Sequence, residues 1–458
     1  MGLHRSAGFL IFTKTPLINH YIFDMIKKIL VLSLVFTIFG SVCRVSAQEH
    51  RDDSKMQWFR DARLGIFIHW GIYSVNGIDE SWSFYNGYIS YEDYLKQLKG
   101  FTASRYNPDE WAALIKESGA KYAVITSKHH DGVALWDTRQ GDMSVVKKTP
   151  ASRDLVTPFV KALRKNNIKT GIYFSLLDWS NPDYPNFTKT EKRYTEDSTR
   201  WSRFLKFNFG QIGELIRNFN PDLFWFDGDW EQSAEKWKAP EIRKMILSNN
   251  PSAIINSRLQ GYGDYATPEQ GLPVRKPADK YWELCMTIND SWGYQPNDLE
   301  FKSPSQIIKI FSECLSKGGN MLLDIGPRPD GSIPDEEVTV LKELGKWTKK
   351  NSEAIYGTTA GLPPGYFYGP STLSADSTML YLFIHGKPDG QVMLQGLKNK
   401  INRIYVVGNG TKLTWKEYLK PYWSNNPGLV FIDVPGNVLD TYTTVLAVII
   451  DKKLLIDK

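Results

Sequence analysis

DLFWFDGDW, residues 222–230, is the stretch from which the fold of this chain can be worked out. It follows Asn220 and Pro221, which form a turn signal, and it opens with an apolar and aromatic run typical of a strand buried on both faces. The run ends in a carboxylate, Asp227, and a charge in that place is costly unless it is paired or used. In a (β/α) barrel the C-terminal strand ends carry the catalytic groups. Asp227 is therefore a candidate catalytic residue, whereas Asp229 is predicted to cap the next helix.

Similar short apolar runs alternate with helical patterns through the first three quarters of the chain. Besides the run that contains Asp227, strands are predicted at residues 63–71, 121–132, 169–175, 253–258, 281–285 and 320–325. Helices are predicted at residues 108–118, 154–166, 199–218, 240–248, 305–316 and 335–351. Alternation of this kind indicates a parallel sheet, and its length favours a (β/α)8-like (TIM-type) barrel over an open sheet. The sequence pattern shows about seven strands. An eighth strand that would close the barrel is expected only because barrels of this type have eight.

The pattern changes after Tyr356. Short alternating runs separated by turn residues cover residues 379–384, 391–394, 402–407, 429–434 and 443–450. They predict an antiparallel β-sandwich. The expected domains are thus a catalytic α/β barrel over residues 48–355 and a C-terminal β-sandwich over residues 356–458.

The N-terminal region, residues 1–47, has the pattern of an export signal. Two lysines at 27–28 precede an apolar run at 29–39 that is too short to span a bilayer comfortably. Small residues at 45–47 predict cleavage after Ala47. The mature protein is then periplasmic or secreted and has no membrane span.

Two details of this region have alternatives. Met25 stands directly before the signal, which indicates that translation starts there and not at Met1. Cys43 would allow a lipoprotein, although Val42 does not fit the small residue that such processing prefers.

Composition narrows the function. The net charge of +6 over 458 residues is small, so no nucleic-acid partner is expected. Fifteen Trp suit sugar stacking, since a pyranose offers an apolar face to an aromatic ring, but a Trp-rich core would have the same composition. Two of the three cysteines, Cys285 and Cys314, lie beyond the signal in apolar surroundings and are predicted to be small buried hydrophobic residues.

Polar side chains follow several predicted strands and would meet at one barrel mouth. They are His69, His129, His130, Tyr173, Asp227 and Arg258, with Glu269 just beyond. Two carboxylates with donors and aromatic rings are what glycoside hydrolysis needs, one to attack the anomeric carbon and one to exchange a proton with the leaving oxygen. An aromatic-rich insert over residues 72–100, which contains Trp82, would suit sugar binding or packing on the rim equally well.

The alternatives to this interpretation are a metal site or a structural role. Adjacent histidines on a strand point to opposite faces, so His129 and His130 would not chelate one ion by themselves, and no metal motif is present. Either histidine could be a buried structural group. Arg258 could be a structural ion-pair partner of Asp227.

Several motifs resemble the α-L-fucosidases of glycoside hydrolase family 29. The matching stretches are WFR at 58–60, GIFIHWG at 65–71, GAKY at 119–122, KHHDG at 128–132, WFDG at 225–228, SWGY at 291–294, GGN at 318–320, IGP at 325–327 and DG at 330–331. The KHHDG run together with the WFDG strand makes the resemblance specific. The matching motifs lie within residues 57–356, and the predicted sandwich resembles the family only in its general architecture.

The resemblance implies a retaining exo-hydrolase of terminal α-L-fucose that uses no metal and no cofactor. By position, Asp227 corresponds to the nucleophile and Glu269 to the acid/base, with Glu283 as the alternative acid/base. The implied fucose pocket consists of His69, Trp82, His129, His130, Tyr173, Trp225, Arg258 and Trp292. The family often has Glu directly before the Trp of its first long loop. Here Ser81 takes that place, which puts Glu80 in doubt as a ligand.

Two other functions remain open from the sequence. The chain could be a carbohydrate-binding protein that has kept the pocket without catalysis, although both carboxylates argue against this. It could also prefer α-L-galactosides, which differ from fucosides by one hydroxyl, and an apolar pocket discriminates weakly against an added hydroxyl. The sequence leaves open which fucosylated oligosaccharide linkage is cleaved, the oligomeric state and the role of the sandwich.

Overall fold

The computed structural model describes residues 53–423 and 425–457, so the predicted signal region, residues 1–47, lies outside the described residues. Its central element is a curled parallel sheet. The strands are β1 Leu64–Ile68, β2 Tyr122–Lys128, β3 Lys169–Ser175, β4 Leu223–Asp227, β5 Ile254–Ile255, β6 Glu283–Thr287 and β7 Asn320–Ile325. Their order across the sheet is β5-β4-β3-β2-β1-β7-β6. All but Lys169 of their residues are buried, which confirms the prediction of strands covered on both faces.

Strand β5 is shorter than predicted, because a side chain replaces its last backbone pairing. The Asn256 amide accepts a hydrogen bond from Phe226 N at 2.9 Å and donates one to Phe226 O at 2.8 Å. The following segment, residues 264–270, bridges the two edge strands of the sheet. Asp264 N donates to Ile255 O of β5 at 2.6 Å, and Glu283 N of β6 donates to Ala266 O at 2.9 Å.

Helices cover the outside of the sheet, and all six that the sequence predicts are present, with ends within two residues of the predicted ones. The α-helices are Gln57–Ala62, Trp82–Tyr85, Tyr91–Leu95, Pro108–Glu117, Val145–Lys148, Val156–Lys165, Ser198–Phe219, Ala234–Trp237, Ala239–Asn249, Pro304–Ser316 and Asp335–Lys350. Short 3-10 helices are Asp53–Met56, Ile72–Ser74, Lys96–Gly100, Asp229–Glu231, Ser352–Ala354 and Gly436–Val438. Within the described residues, none of the helices is long and apolar enough to cross a membrane.

Capping residues in the sequence explain where the helices begin. Asn107 accepts a hydrogen bond from Asp109 N at 3.2 Å, and Pro108 takes the first helical position, where no N–H is needed. Ser303 and Gln306 form a reciprocal capping box at the start of another helix. Two short α-helices and two 3-10 helices lie in the insert at residues 72–100, where the sequence predicted only an aromatic loop.

The C-terminal part consists of two antiparallel sheets. Their strands are β8 Thr359–Ala360, β9 Ser371–Leu373, β10 Met379–His385, β11 Val392–Gln395, β12 Ile401–Val406, β13 Trp415–Tyr418, β14 Leu429–Ile432 and β15 Thr443–Ile450. The strand orders are β12-β15-β10-β9-β8 in the larger sheet and β11-β14-β13 in the smaller one. Strands β8, β9 and β13 were not predicted from the sequence.

The larger of these sheets is covered on both faces. Leu382 and Leu446 on one face pack with Val392 and other residues of the smaller sheet. Phe383 and Ala447 on the other face belong to the hydrophobic core that also contains the helices around the parallel sheet. This second face anchors the sandwich against the part of the chain that carries the site.

Candidate active site

The last residue of β4, Asp227, stands at the carboxyl end of the parallel sheet. Its backbone pairs with Ser175, the last residue of β3. Gly228 then turns the chain with φ of +76°, and a Cβ there would lie 2.6 Å from Leu177 Cγ. Only glycine therefore lets the chain leave β4 at this angle directly after the carboxylate.

Asp227 is buried, and three polar groups surround its carboxylate. Tyr173 Oη donates to Oδ2 at 3.0 Å, and an Arg258 guanidinium nitrogen donates to Oδ1 at 2.9 Å. His130 Nε2 lies 3.6 Å from Oδ2. The hydrogen bonds from Tyr173 and Arg258 stabilise a negative charge away from bulk water and fix the direction in which the carboxylate points.

The same arginine holds a second carboxylate. The other terminal nitrogen of Arg258 donates to Glu269 Oε2 at 2.5 Å, and its guanidinium lies 4.5 Å from the centre of the Trp225 ring. Burial lowers the pKa of Arg258, but Asp227 and Glu269 raise it to a net value above the usual one. Arg258 is thus a permanent cation between a buried carboxylate and a more exposed one.

His130 has a defined tautomer. Its Nδ1 lies 2.7 Å from Ser175 Oγ, and Ser175 donates its single hydroxyl proton to Leu177 O at 2.6 Å. Ser175 must therefore accept the hydrogen bond from His130 Nδ1. In the neutral ring this leaves Nε2, the atom near Asp227, as a hydrogen-bond acceptor.

The other two histidines are also held through Nδ1. His69 Nδ1 lies 2.6 Å from Asp324 Oδ1, and both side chains are buried. His129 Nδ1 lies 2.7 Å from Ser81 Oγ. Each contact fixes the orientation of an imidazole ring within the cluster.

Burial is the main cause of the shifted pKa values of the three histidines and of Asp324. It lowers the pKa of His69, His129 and His130 well below the usual range, and neighbouring histidines or cations add to the effect. Burial likewise raises the pKa of Asp324 well above its usual range. The three imidazoles are therefore uncharged at neutral pH and can exchange hydrogen bonds with hydroxyl groups.

Aromatic rings line the cluster. Trp292 lies 4.9 Å from His69, and Trp82 lies 5.6 Å from His130, measured between ring centroids. Trp225 lies 5.7 Å from Tyr173 in a stacked arrangement. Each of the ten residues that the sequence assigned to the site thus touches another member, and the structure brings all of them together.

Two further glutamates have roles that the sequence left open. Glu283 is fully buried, accepts hydrogen bonds from Tyr122 Oη and, at 3.2 Å, from Trp225 Nε1, and burial raises its pKa to about 7. Glu80 is also buried and accepts a hydrogen bond from Gly293 N at 2.6 Å, next to Trp292. Glu80 therefore supports the loop of a pocket residue.

Two expectations about side-chain direction are wrong. Asp229 does not cap a helix, because its Oδ2 accepts a hydrogen bond from Gln260 N at 2.8 Å, and Ser233 caps the helix Ala234–Trp237. His129 and His130 do not point to opposite faces, since β2 ends at Lys128 and both lie in the turn beyond it. Their ring centroids are 4.2 Å apart.

Sequence reasoning missed the residues that orient the histidines. Asp324 had the same signal as Asp227, a carboxylate within an apolar strand, and that signal could have revealed it. Ser175 ends β3 in the same way, as a polar residue at a strand end. Nothing in the sequence indicated the role of Ser81.

The fold and the paired carboxylates together define the site of a glycoside hydrolase. In the described part of the chain, no group of three or more His, Cys, Asp or Glu side chains could hold a metal ion. A carbohydrate could interact with the carboxylates, imidazoles and aromatic rings that are present.

Comparison with known proteins agrees with this class. The family model described as Alpha-L-fucosidase matches residues 42–353, and the chain belongs to that family. The tissue alpha-L-fucosidases of Rattus norvegicus and Homo sapiens are each 30% identical, over 79% and 78% of this chain and 83% and 82% of their own length.

Solved structures are similar over most of the chain. The alpha-L-fucosidase isoenzyme 1 from Paenibacillus thiaminolyticus has a TM-score of 0.80 and 34% identity, and the match covers 87% of this chain and 99% of that one. A GH29 alpha-L-fucosidase from Bacteroides thetaiotaomicron, a trapped covalent intermediate in complex with 2-fluoro-fucosyl fluoride, has a TM-score of 0.78 and 28% identity. That match covers 88% of this chain and 98% of that one.

Proposed function

We propose that the chain is a retaining exo-α-L-fucosidase in which Asp227 is the nucleophile and Glu269 the acid/base. The observation that carries the assignment is the guanidinium of Arg258, which contacts both carboxylates, at 2.9 and 2.5 Å. Retaining glycosidases hold their two carboxyl groups about 5 to 5.5 Å apart, on either side of the scissile bond. A shared arginine is a means of holding two carboxylates close together.

Hydrolysis takes place in two displacements. In the first, an Asp227 oxygen bonds to the anomeric carbon while the bond to the leaving oxygen breaks, and protonated Glu269 gives its proton to that oxygen. In the second, ionised Glu269 takes a proton from water, the water oxygen bonds to the anomeric carbon and the ester bond to Asp227 breaks. Fucose leaves with its original anomeric configuration, and both carboxyl groups return to their starting states.

Arg258 can pair with each carboxylate in turn. Before the first displacement it balances the charge of ionised Asp227. Esterification removes the charge of Asp227, and Arg258 then pairs with the Glu269 carboxylate that the proton transfer leaves ionised. Arg258 stays charged throughout, so it balances the carboxylate that is ionised at each stage.

The uncharged histidines are suited to binding the sugar. His69, His129 and His130 are fixed at Nδ1 by Asp324, Ser81 and Ser175, which leaves each Nε2 for a sugar hydroxyl. Aromatic rings line the rest of the proposed fucose pocket and offer apolar surface to the sugar. They are the rings of Trp82, Tyr173, Trp225 and Trp292. We propose a terminal α-L-fucose on an oligosaccharide as the substrate.

The assignment is tested with Glu269→Ala and an aryl fucoside that has a good leaving group. Such a substrate needs no proton in the first step, so the variant should accumulate the fucosyl enzyme, and azide should accelerate its turnover. Proton NMR of the wild-type reaction should show the α-anomer first. If Glu283→Ala shows the accumulation and rescue while Glu269→Ala turns over normally, Glu283 is the acid/base.

We also propose two features of the architecture. The hydrogen bonds of residues 264–270 to β5 and β6 support an eight-membered barrel in which this segment takes the place of the eighth strand. The proposed domain boundary lies at residues 355 and 356. Limited proteolysis near that boundary, followed by mass analysis, tests it.

We further propose that the protein is exported, because residues 1–47 have the pattern of an export signal. A periplasmic or secreted protein that begins at Gln48 after cleavage is expected. N-terminal sequencing of the mature protein tests this, and a lipid attached to Cys43 would show the lipoprotein alternative instead.

A further inference from the structure

Trp230 is an exposed indole beside the proposed nucleophile. It is 49% exposed, although the aromatic rings nearest to it are mostly covered. Its ring centroid lies 5.8 Å from that of His130, with perpendicular planes, and 6.2 Å from that of Trp82, with planes 13° apart. His130 itself lies 3.6 Å from Asp227. The exposed indole thus stands one side chain away from the carboxylate.

The turn that carries Trp230 is fixed on both sides. On one side, Asp229 accepts hydrogen bonds from Gln260, to its carboxylate at 2.8 Å and to its carbonyl at 2.7 Å. On the other, the Glu231 carboxylate accepts hydrogen bonds from Tyr184 Oη at 2.6 Å and Trp179 Nε1 at 3.1 Å. A turn held in this way presents the indole to solvent with little loss of conformational freedom on binding.

Hydrogen bonds tie the fixed turn to the loop that carries Arg258, and Arg258 contacts Glu269. Asp227 is buried, whereas the Glu269 side chain is 40% exposed, so the outward direction runs from Asp227 towards Glu269. Gln260, which holds Asp229, lies two residues after Arg258, which holds Glu269. The two loops are therefore tied together at the same rim, where the oxygen protonated by Glu269 and the sugar attached to it would emerge.

We propose that Trp230, supported by Trp82, forms a binding subsite for the sugar to which fucose is attached. The exposed indole face would stack on the apolar C–H face of a pyranose ring, while the histidines and Asp227 hold the fucose. This subsite rests on the proposed fucosidase function.

Two substrates separate this role from catalysis. Fucosyl fluoride has no leaving-group ring and tests only the fucose pocket, whereas a fucosylated disaccharide tests both. Trp230→Ala should lower kcat/KM for the disaccharide about tenfold, mainly through KM, and should change fucosyl fluoride hydrolysis less than twofold. Trp230→Phe, which keeps a smaller ring face, should keep most of the disaccharide activity.

The control is Tyr422→Ala, which removes an aromatic ring that is 96% exposed in the C-terminal region. It should leave both substrates unchanged. An equal loss on both substrates for the Trp230 variants, or no loss on the disaccharide, would overturn the subsite. Failure of the wild-type protein to hydrolyse fucosyl fluoride would instead contradict the proposed function itself.

Discussion

Two glutamates of the same chemistry lie in opposite settings, one at the rim of the site and one inside the sheet. Glu269 is partly exposed and contacts the cation Arg258. Glu283 is fully buried and accepts hydrogen bonds from Tyr122 and Trp225, while burial raises its pKa to about 7. A raised pKa alone would have selected Glu283 as the general acid. The contact network favours Glu269, because only Glu269 shares Arg258 with Asp227.

The largest expected effect separates the two glutamates directly. Glu269→Gln keeps the size of the side chain but has no proton to give, so kcat/KM for a fucosylated oligosaccharide should fall about 10²- to 10⁴-fold. Glu283→Gln can still pair with Tyr122 and Trp225, and its activity should stay within about tenfold of wild type. A larger loss of activity in Glu283→Gln than in Glu269→Gln would show that Glu283 is the acid/base.

A smaller effect is expected from the contact that holds His69. Asp324→Leu leaves His69 Nδ1 without its partner, and kcat/KM should fall about 10- to 100-fold, mainly through KM, because a buried polar group that loses its hydrogen-bond partner costs about 1 to 3 kcal/mol. Asp324→Asn keeps an oxygen at the same place and should retain most of the activity. Equal losses in both variants would show that the negative charge, and not the orientation of the ring, is what matters.

The smallest effect concerns stability against pH. The folded-state pKa of Glu283 is raised, so its contribution to stability is complete below the unfolded value and is lost as pH rises through about 7. Between pH 6 and 8 the Tm of the wild type should therefore fall, and Glu283→Gln should reduce that fall by about 2 °C.

Glu337→Gln serves as a control for the stability measurement. Burial raises the pKa of Glu337 to about 8, so this variant should flatten the stability curve at a higher pH than Glu283→Gln does. An unchanged fall in the Glu283 variant would mean that Glu283 is ionised in the folded protein throughout this range.

The sequence predicted the parts of the molecule that repeat a pattern. Buried strands such as Lys169–Ser175, and the helix that begins after Asn107, follow from apolar periodicity and capping residues, and the structure confirms them. The burial of Cys285 and Cys314 is confirmed as well. The motifs around His129 and Asp227 led to the family, which the comparison shows.

The sequence could not predict contacts that depend on how separate loops meet. Asn256 replaces strand pairing with its amide, so β5 is shorter than its apolar run suggests. Ser81 reaches His129 because the insert folds back over the sheet, and the fixed turn at Asp229 depends on Gln260 from another loop. In each case the deciding partner is distant in sequence and has no local pattern of its own.

The most direct test of the account is to identify the residue that bonds to the sugar. The protein is treated with 2-fluoro-fucosyl fluoride, digested, and its peptides are sequenced by mass spectrometry. The account predicts one 2-fluoro-fucosyl group per chain, attached to Asp227, and no attachment in Asp227→Ala. A label on Asp229, Glu269 or Glu283 in the wild-type protein would contradict it.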